Sequence, residues 1–112
     1  MSERVERTLM VARMPETSAR RVAGLFAESD ATGLPSRLGV RHRSLFRFHG
    51  VYAHLIEATP GLGDRLRWAR AEDPGFARIS AAVDELVTPW DPVTWRGPLD
   101  SRATRFYDWG LV

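Results

Sequence analysis

Arg41-His42-Arg43-Ser44-Leu45-Phe46-Arg47-Phe48-His49-Gly50-Val51-Tyr52-Ala53-His54-Leu55-Ile56 reads as a β-hairpin. Two alternating runs flank His49-Gly50. Glycine accepts positive φ freely, and histidine tolerates the left-handed region better than most residues. With a two-residue loop, Phe48 faces Val51, Leu45 faces His54 and Arg43 faces Ile56. Side chains alternate across a strand, so this register sorts them onto two faces. Phe46, Phe48, Val51, Ala53 and Leu55 share one face, which calls for a hydrophobic core. Arg43, Leu45, Arg47, Tyr52, His54 and Ile56 share the other. That second face mixes cations, an imidazole and a phenol with apolar groups, as the wall of a pocket for a flat, oxygen-rich ligand does.

The neighbouring segments build outward from this hairpin. Residues 5–14 predict a strand with Leu9 and Val11 on one face and Met10, Ala12 and Met14 on the other, stopped by Pro15. Thr17 or Ser18 is placed to cap a helix running to about Thr32, with Val22, Leu25 and Phe26 as its buried stripe. Gly33 is placed for its C-cap, and Pro35 for its end. Beyond the hairpin, whose second strand runs to about Ala58, Thr59-Pro60-Gly61 predicts a turn and residues 62–71 a short helix. Asp73-Pro74 is an N-cap followed by proline at the first helical position, and Phe76, Ile79, Val83 and Leu86 form a helical stripe. Residues 88–101 carry three prolines with Trp90 and Trp95, which predicts a long irregular loop that packs down on something. Residues 102–111 alternate again and predict a last strand.

The order β-α-β-β-α-β, with a broken second helix, is the ferredoxin-like α+β arrangement: a four-stranded antiparallel sheet with helices on one face. At 112 residues the chain is expected to be one domain, 1–112. Apolar residues on both sides of three strands predict that the second sheet face is covered as well, most simply by another copy of the chain, a homodimer.

Composition narrows the chemistry. The chain has no cysteine, which excludes disulfides, thiolate metal sites and cysteine nucleophiles. All 16 basic residues are arginine, so no side-chain amine is present to form a Schiff base. The net charge is only +2, and acids are interleaved with the arginines rather than separated into a basic stripe, which argues against nucleic acid as a partner. No apolar run approaches a membrane span, and the first residues lack a signal-peptide core, so a cytoplasmic protein is expected. Glycine-rich phosphate loops, Gly-x-Ser-x-Gly and His-Glu-x-x-His are all absent, which disfavours chemistry on a bound nucleotide or flavin. The three histidines do not converge in the hairpin register, so no metal site is expected.

Three residues stand out as catalytic candidates. His54 is either a hydrogen-bonded core histidine or, beside Arg43, Arg47 and Tyr52, a functional group whose protonated form is disfavoured by its cationic neighbours. Arg43 lies one diagonal step from His54; its permanent charge would hold an enolate or phenolate oxygen, or else form a surface ion pair. Asp30 falls in the last turn of the first helix, where the helix dipole opposes a carboxylate. It is either a local turn-former toward Thr32 or Gly33 or part of a site. Tyr52, Ile56 and Leu45 on the same face, with Trp90 and Trp95 at the mouth, are the candidate substrate-binding residues.

Together these segments resemble the tetracenomycin-type cyclases of bacterial aromatic polyketide pathways. The resemblance is carried by Val11-Ala12-Arg13-Met14, by Leu25-Phe26-Ala27-Glu28-Ser29-Asp30-Ala31-Thr32-Gly33-Leu34-Pro35, by Gly39-Val40-Arg41-His42-Arg43-Ser44-Leu45-Phe46 and by Tyr52-Ala53-His54-Leu55. It continues through Asp91-Pro92-Val93-Thr94-Trp95-Arg96 and Ala103-Thr104-Arg105-Phe106-Tyr107-Asp108-Trp109, which look especially like the angucycline-type late-ring branch. The resemblance implies a dimeric α+β barrel with one cavity per subunit. It implies cofactor-free intramolecular aldol condensation and dehydration of a poly-β-ketone or partly cyclised aromatic intermediate, with an acyl carrier protein as a candidate partner. It also implies Asp30, Arg43 and His54 as the site, the face already picked out by the hairpin register. The chain departs from the family at Ser29 and Gly33, where the pattern has a histidine and an acid. The rival readings are a cofactor-free anthrone-type monooxygenase on the same dimeric barrel and a non-enzymatic ligand- or RNA-binding ferredoxin-like module.

Overall fold

In the computed structural model of the protein, residues 4–110 are described. The opening Met1-Ser2-Glu3 and the Leu111 end of the expected last strand lie outside them. Four strands form one sheet in the order β2-β3-β1-β4: β1 Glu6–Arg13, β2 Val40–Phe48, β3 Val51–Ala58 and β4 Thr88–Pro89. Each paired neighbour is antiparallel. Four helices pack on one side: α1 Ala19–Asp30, α2 Leu34–Leu38, α3 Leu62–Glu72 and α4 Pro74–Asp84. The ferredoxin-like reading of the sequence holds.

The hairpin has the register read from its alternation. Phe48 pairs with Val51, Leu45 with His54 and Arg43 with Ile56, and His49 takes the turn with φ 53°. One feature of the register was not legible: a bulge between Val40 and His42. Strict alternation would put Val40 and Arg43 on opposite faces, whereas the extra residue lets both line the interior cavity.

The two sheet faces have opposite fates within the chain. Along β3, Tyr52, His54, Ile56 and Ala58 are buried beneath the helices, while Val51, Ala53, Leu55 and Glu57 are only half-buried. The face of Phe46 and Phe48 is therefore the outward one, not the core the sequence called for. These side chains are 54% and 71% exposed, beside an exposed Leu9. Beneath the helices lie two apolar clusters. Met10, Leu34, Leu38, Ile56, Leu62, Leu66 and Phe76 form the core of one, and Ala12, Met14, Val22, Tyr52 and Val87 the other. His54 sits on β3 between Tyr52 of the second cluster and Ile56 of the first.

The helix termini show why these segments fold as they do. Asp73 accepts hydrogen bonds from the Gly75 and Phe76 amides and so caps α4, with Pro74 at the first helical position. Its other oxygen takes the Arg37 Nε at 2.7 Å, which ties α2 to α4. The guanidinium holds the Asp73 carboxyl below the usual carboxylate range. Pro35, read as the end of the first helix, instead lies in the first turn of α2; α1 already stops at Asp30, and Gly33 is the N-cap of α2. Proline lacks only an amide hydrogen that a first turn leaves unpaired, so it starts a helix as readily as it ends one.

The segment after α4 differs most from expectation. The fourth strand is Thr88–Pro89, paired to Ala12 and Arg13, inside the segment read as irregular. Residues 103–110, expected to be a strand, have no regular structure. Arg102, just before them, bridges to Met10 of β1, and the Ala103 amide donates to the Leu9 carbonyl at 2.7 Å. Phe106 is almost wholly exposed, and Tyr107 and Trp109 are largely so. The alternation in this tail is real, but among the described residues no further ladder pairs with it.

Residues 88–101 fold into a strap. Asp91 organises it by accepting from the Val93 amide and the Thr94 hydroxyl, both at 3.0 Å, while its carbonyl accepts the Trp95 amide at 3.1 Å. That turn delivers Trp95 to the cavity.

Candidate active site

β3 is an interior strand, and its alternation places His54 on the helix-facing side, opposite Met10 of β1 and Leu45 of β2. Arg43 lies diagonally across β2 and reaches back so that its Nη1 stands 3.1 Å from His54 Nε2. Asp30, the last residue of α1, receives the other edge of the same guanidinium: Arg43 Nε lies 3.1 and 2.9 Å from its two oxygens, and Nη2 2.9 Å from Oδ1. Thr32, not Asp30, makes the local turn bonds: its hydroxyl donates to the Ser29 carbonyl at 2.6 Å and accepts the Leu34 amide at 3.2 Å. Asp30 is thereby left for Arg43. The three residues that the sequence singled out form one connected line.

Tyr52 extends the line. Its hydroxyl is 3.3 Å from His54 Nδ1. Phe26 of α1 packs edge-on against the His54 ring at a centroid distance of 5.1 Å and lies 5.0 Å from the Arg43 guanidinium carbon. These contacts fix the imidazole and the guanidinium together.

The electrostatics follow from burial. His54 has its pKa lowered to about 3, first by burial and then by the Arg43 charge, so it is neutral across the physiological range. Tyr52 has its pKa raised by burial, with Arg43 opposing, and keeps its proton. An arginine N–H can only donate, so His54 Nε2 is the acceptor and the imidazole proton resides on Nδ1.

These groups open on an interior cavity of about 140 Å³. Its wall is largely apolar, with Met10, Phe26, Leu66 and Phe76 among its residues. The sheet side contributes Arg43, Tyr52, His54 and Ile56, and the strap contributes Trp95 and Pro98. Trp95 is held by its indole N–H, which donates to the Ser101 hydroxyl at 3.0 Å.

The other candidates go elsewhere. Asp30 does not line the cavity; it clamps Arg43 from outside. Leu45 shares the inward face but packs against the second apolar cluster beside a separate pocket. Trp90 is half-exposed under the Arg13 guanidinium, 3.8 Å from ring centre to Cζ, away from the cavity.

Sequence reasoning missed Ser29 and Asp84 as lining residues. Asp84 approaches from the helix side, and its pKa is raised by burial, with Arg70 opposing. The signal was available: Phe76, Ser80, Asp84 and Val87 continue the α4 stripe at helical spacing, although a carboxylate on such a stripe reads as solvated. Among the described residues, no group of three His, Asp or Glu side chains is placed to hold a metal.

Comparison with known proteins places the chain among polyketide cyclases by sequence and fold. Residues 6–110 match the family model described as polyketide synthesis cyclase. The chain is 46% identical to tetracenomycin F2 cyclase of Streptomyces glaucescens over 103 residues, 92% of this chain and 93% of that protein. It is 44% identical to polyketide synthase CurG of Streptomyces cyaneus, over 90% of this chain and 94% of that one. The solved structure of the S. glaucescens cyclase superposes with a TM-score of 0.87, covering 96% of this chain and 99% of that chain at 44% identity. SnoaB, a cofactor-independent oxygenase from Streptomyces nogalater, shares the fold at 22% identity with a TM-score of 0.54, covering 73% of this chain and 83% of that chain.

Proposed function

The chain belongs to the polyketide synthesis cyclase family and is a polyketide cyclase, and from that premise we propose that it closes a late ring of an aromatic type II polyketide by intramolecular aldol condensation and loss of water. One observation carries the reading: a guanidinium fixed on both edges, by Asp30 outside and His54 inside, faces an apolar cavity. In an aldol closure an α-carbon loses a proton and becomes an enolate, the carbon attacks a carbonyl, and that carbonyl oxygen gains negative charge before it is protonated. The resulting alcohol then leaves as water with a neighbouring hydrogen. Each charged stage puts charge on oxygen. Arg43 has N–H groups beyond those facing Asp30 and His54, and they would meet that oxygen without reorganisation.

The apolar wall would hold a flexible chain in one fold. Positioning of this kind is worth roughly 7–11 kcal/mol when the reacting atoms are near attack geometry. Within this scheme Arg43 stabilises the oxygen, Asp30 and His54 fix Arg43, Tyr52, Ile56 and Trp95 contact the substrate, and no cofactor takes part. Neutral His54 is a poor base with its Nε2 engaged, so proton removal falls to water or to Asp84 on the helix side.

We place the active unit as a homodimer in the cytoplasm, receiving its substrate free or on an acyl carrier protein. The outward Leu9, Phe46 and Phe48, together with the exposed aromatic tail, support a second copy as the cover.

The test is incubation with an uncyclised or partly cyclised polyketide intermediate, with products resolved by chromatography and oxygen followed by electrode. Ring closure with loss of water and without oxygen uptake is expected. Oxygen consumed in step with product would identify the anthrone-type oxygenase instead.

A further inference from the structure

We propose that Tyr52 is a second oxygen-binding donor of the site, and that His54 is the positioning residue that sets the direction of its hydrogen. This inference rests on the cyclase reading. Arg43 Nη1 stands 3.1 Å from His54 Nε2, and both hydrogens on that nitrogen belong to a group that cannot accept. Nε2 must therefore present its lone pair, and the ring proton must sit on Nδ1. At Nδ1 the neighbour is the Tyr52 hydroxyl at 3.3 Å. With Nδ1 donating, the phenolic oxygen accepts from His54, and its own hydrogen must point away from the imidazole. No other hydrogen bond to this hydroxyl is found among the described residues.

Tyr52 lines the cavity and is 6% exposed, so that hydrogen has the ligand space to point to rather than bulk water. Arg43, His54 and Tyr52 thus form a run of fixed polarity. Two ends present hydrogens to the cavity, and the middle ring does not touch the reacting atoms. A substrate carbonyl or enolate oxygen between Arg43 and Tyr52 meets a cation on one side and a neutral donor on the other. The neutrality of the imidazole is required: a second proton on His54 would oppose Arg43 and break the run. The raised pKa of Tyr52 keeps the donor protonated through turnover.

The ligands that fit are polycyclic enols and β-ketones, in which adjacent ring positions carry oxygen. A phenol and a guanidinium on one strand pair can span two such oxygens or share one.

Two measurements test this. In the wild-type protein, ¹⁵N NMR of the His54 ring is expected to show the proton on Nδ1 near neutral pH; a proton on Nε2 overturns the proposal without any substrate. Tyr52→Phe keeps the ring packing and removes only the hydroxyl. It is expected to lower kcat by about 10²-fold, the loss typical of one oxyanion donor, with quenching of Trp95 fluorescence by the product little changed. Arg43→Ala is assayed in parallel. Slowed closure by Arg43→Ala with Tyr52→Phe at the wild-type rate overturns this inference and leaves the cyclase reading standing. A wild-type protein that closes no ring overturns both.

Discussion

The two faces of strand β3 carry opposite solutions to the same problem. On the inward face Tyr52, His54 and Ile56 are buried, and each polar group among them has a partner within the chain. On the outward face the neighbouring apolar residues Phe46 and Phe48 are left largely in water. A hydrophobic side chain gains about 25 cal/mol for each Å² removed from water, so the outward face has free energy still to be gained by association. The inward face shows the reverse. It gives core volume to an imidazole, a phenol and a guanidinium at the junction of two apolar clusters, where plain hydrophobic residues would pack. Residues chosen for stability alone would fill that junction; the polar line and the cavity beside it support the ligand chemistry proposed for the inward face, as the exposed Phe46 and Phe48 support the assembly proposed for the outward one.

The largest change is expected from charging the outward face. Phe46→Asp with Phe48→Asp should convert a dimer to a monomer at micromolar concentration by light scattering, since two unpaired carboxylates would have to be desolvated in the interface. Wild-type protein that is already monomeric there contradicts the assembly half of the comparison.

Acid should act on the inward face. The His54 pKa is lowered to about 3 in the fold, against about 6.5 when unfolded. Between those values the unfolded chain binds a proton that the folded chain refuses. The stability from burying neutral His54 is therefore complete above about pH 6.5 and falls as pH drops toward 3, by a few kcal/mol in total. Urea midpoints across pH 4–7 should show this slope, and His54→Gln should flatten it. A slope unchanged in the variant would mean that His54 is not the group responsible.

The smallest effects belong to residues near the site in sequence but off the cavity. Trp90→Phe and Leu45→Val should leave the turnover rate within about twofold, because neither side chain lines the ligand space. Trp95→Phe should instead remove most of the ligand-induced fluorescence quenching. If Trp90→Phe removes it, the strap meets the ligand through the other tryptophan, and Trp95 is not the contact.

The legibility of these features in the sequence depended on where their partners are. The hairpin was readable because period-two alternation and a His-Gly turn are local signals, and its register alone brought Arg43 next to His54. Asp30 was readable because its place at a helix end is unfavourable without a cation. The bulge at Arg41-His42 was hidden because both residues are exposed and polar and break no pattern. The tail was misread for a different reason. Its alternation through Phe106, Tyr107 and Trp109 predicts a strand, yet beyond Ala103 no strand among the described residues pairs with it. Pro35 and Pro89 misled because proline is compatible with a helix start and an edge strand as well as with a break. Trp90 and Trp95 looked equivalent in sequence; only the turn built on Asp91 separates the one under Arg13 from the one in the cavity.

The central claim is that the inward face around Arg43 is where ring closure occurs. Its most direct test is turnover of an uncyclised polyketide intermediate by folded Arg43→Ala, with products resolved by chromatography beside wild type. The account predicts a rate lower by about 10²–10³-fold, as for loss of an oxyanion donor, with a rise in spontaneously misfolded ring products. Cyclisation at the wild-type rate and with wild-type regiochemistry would contradict it.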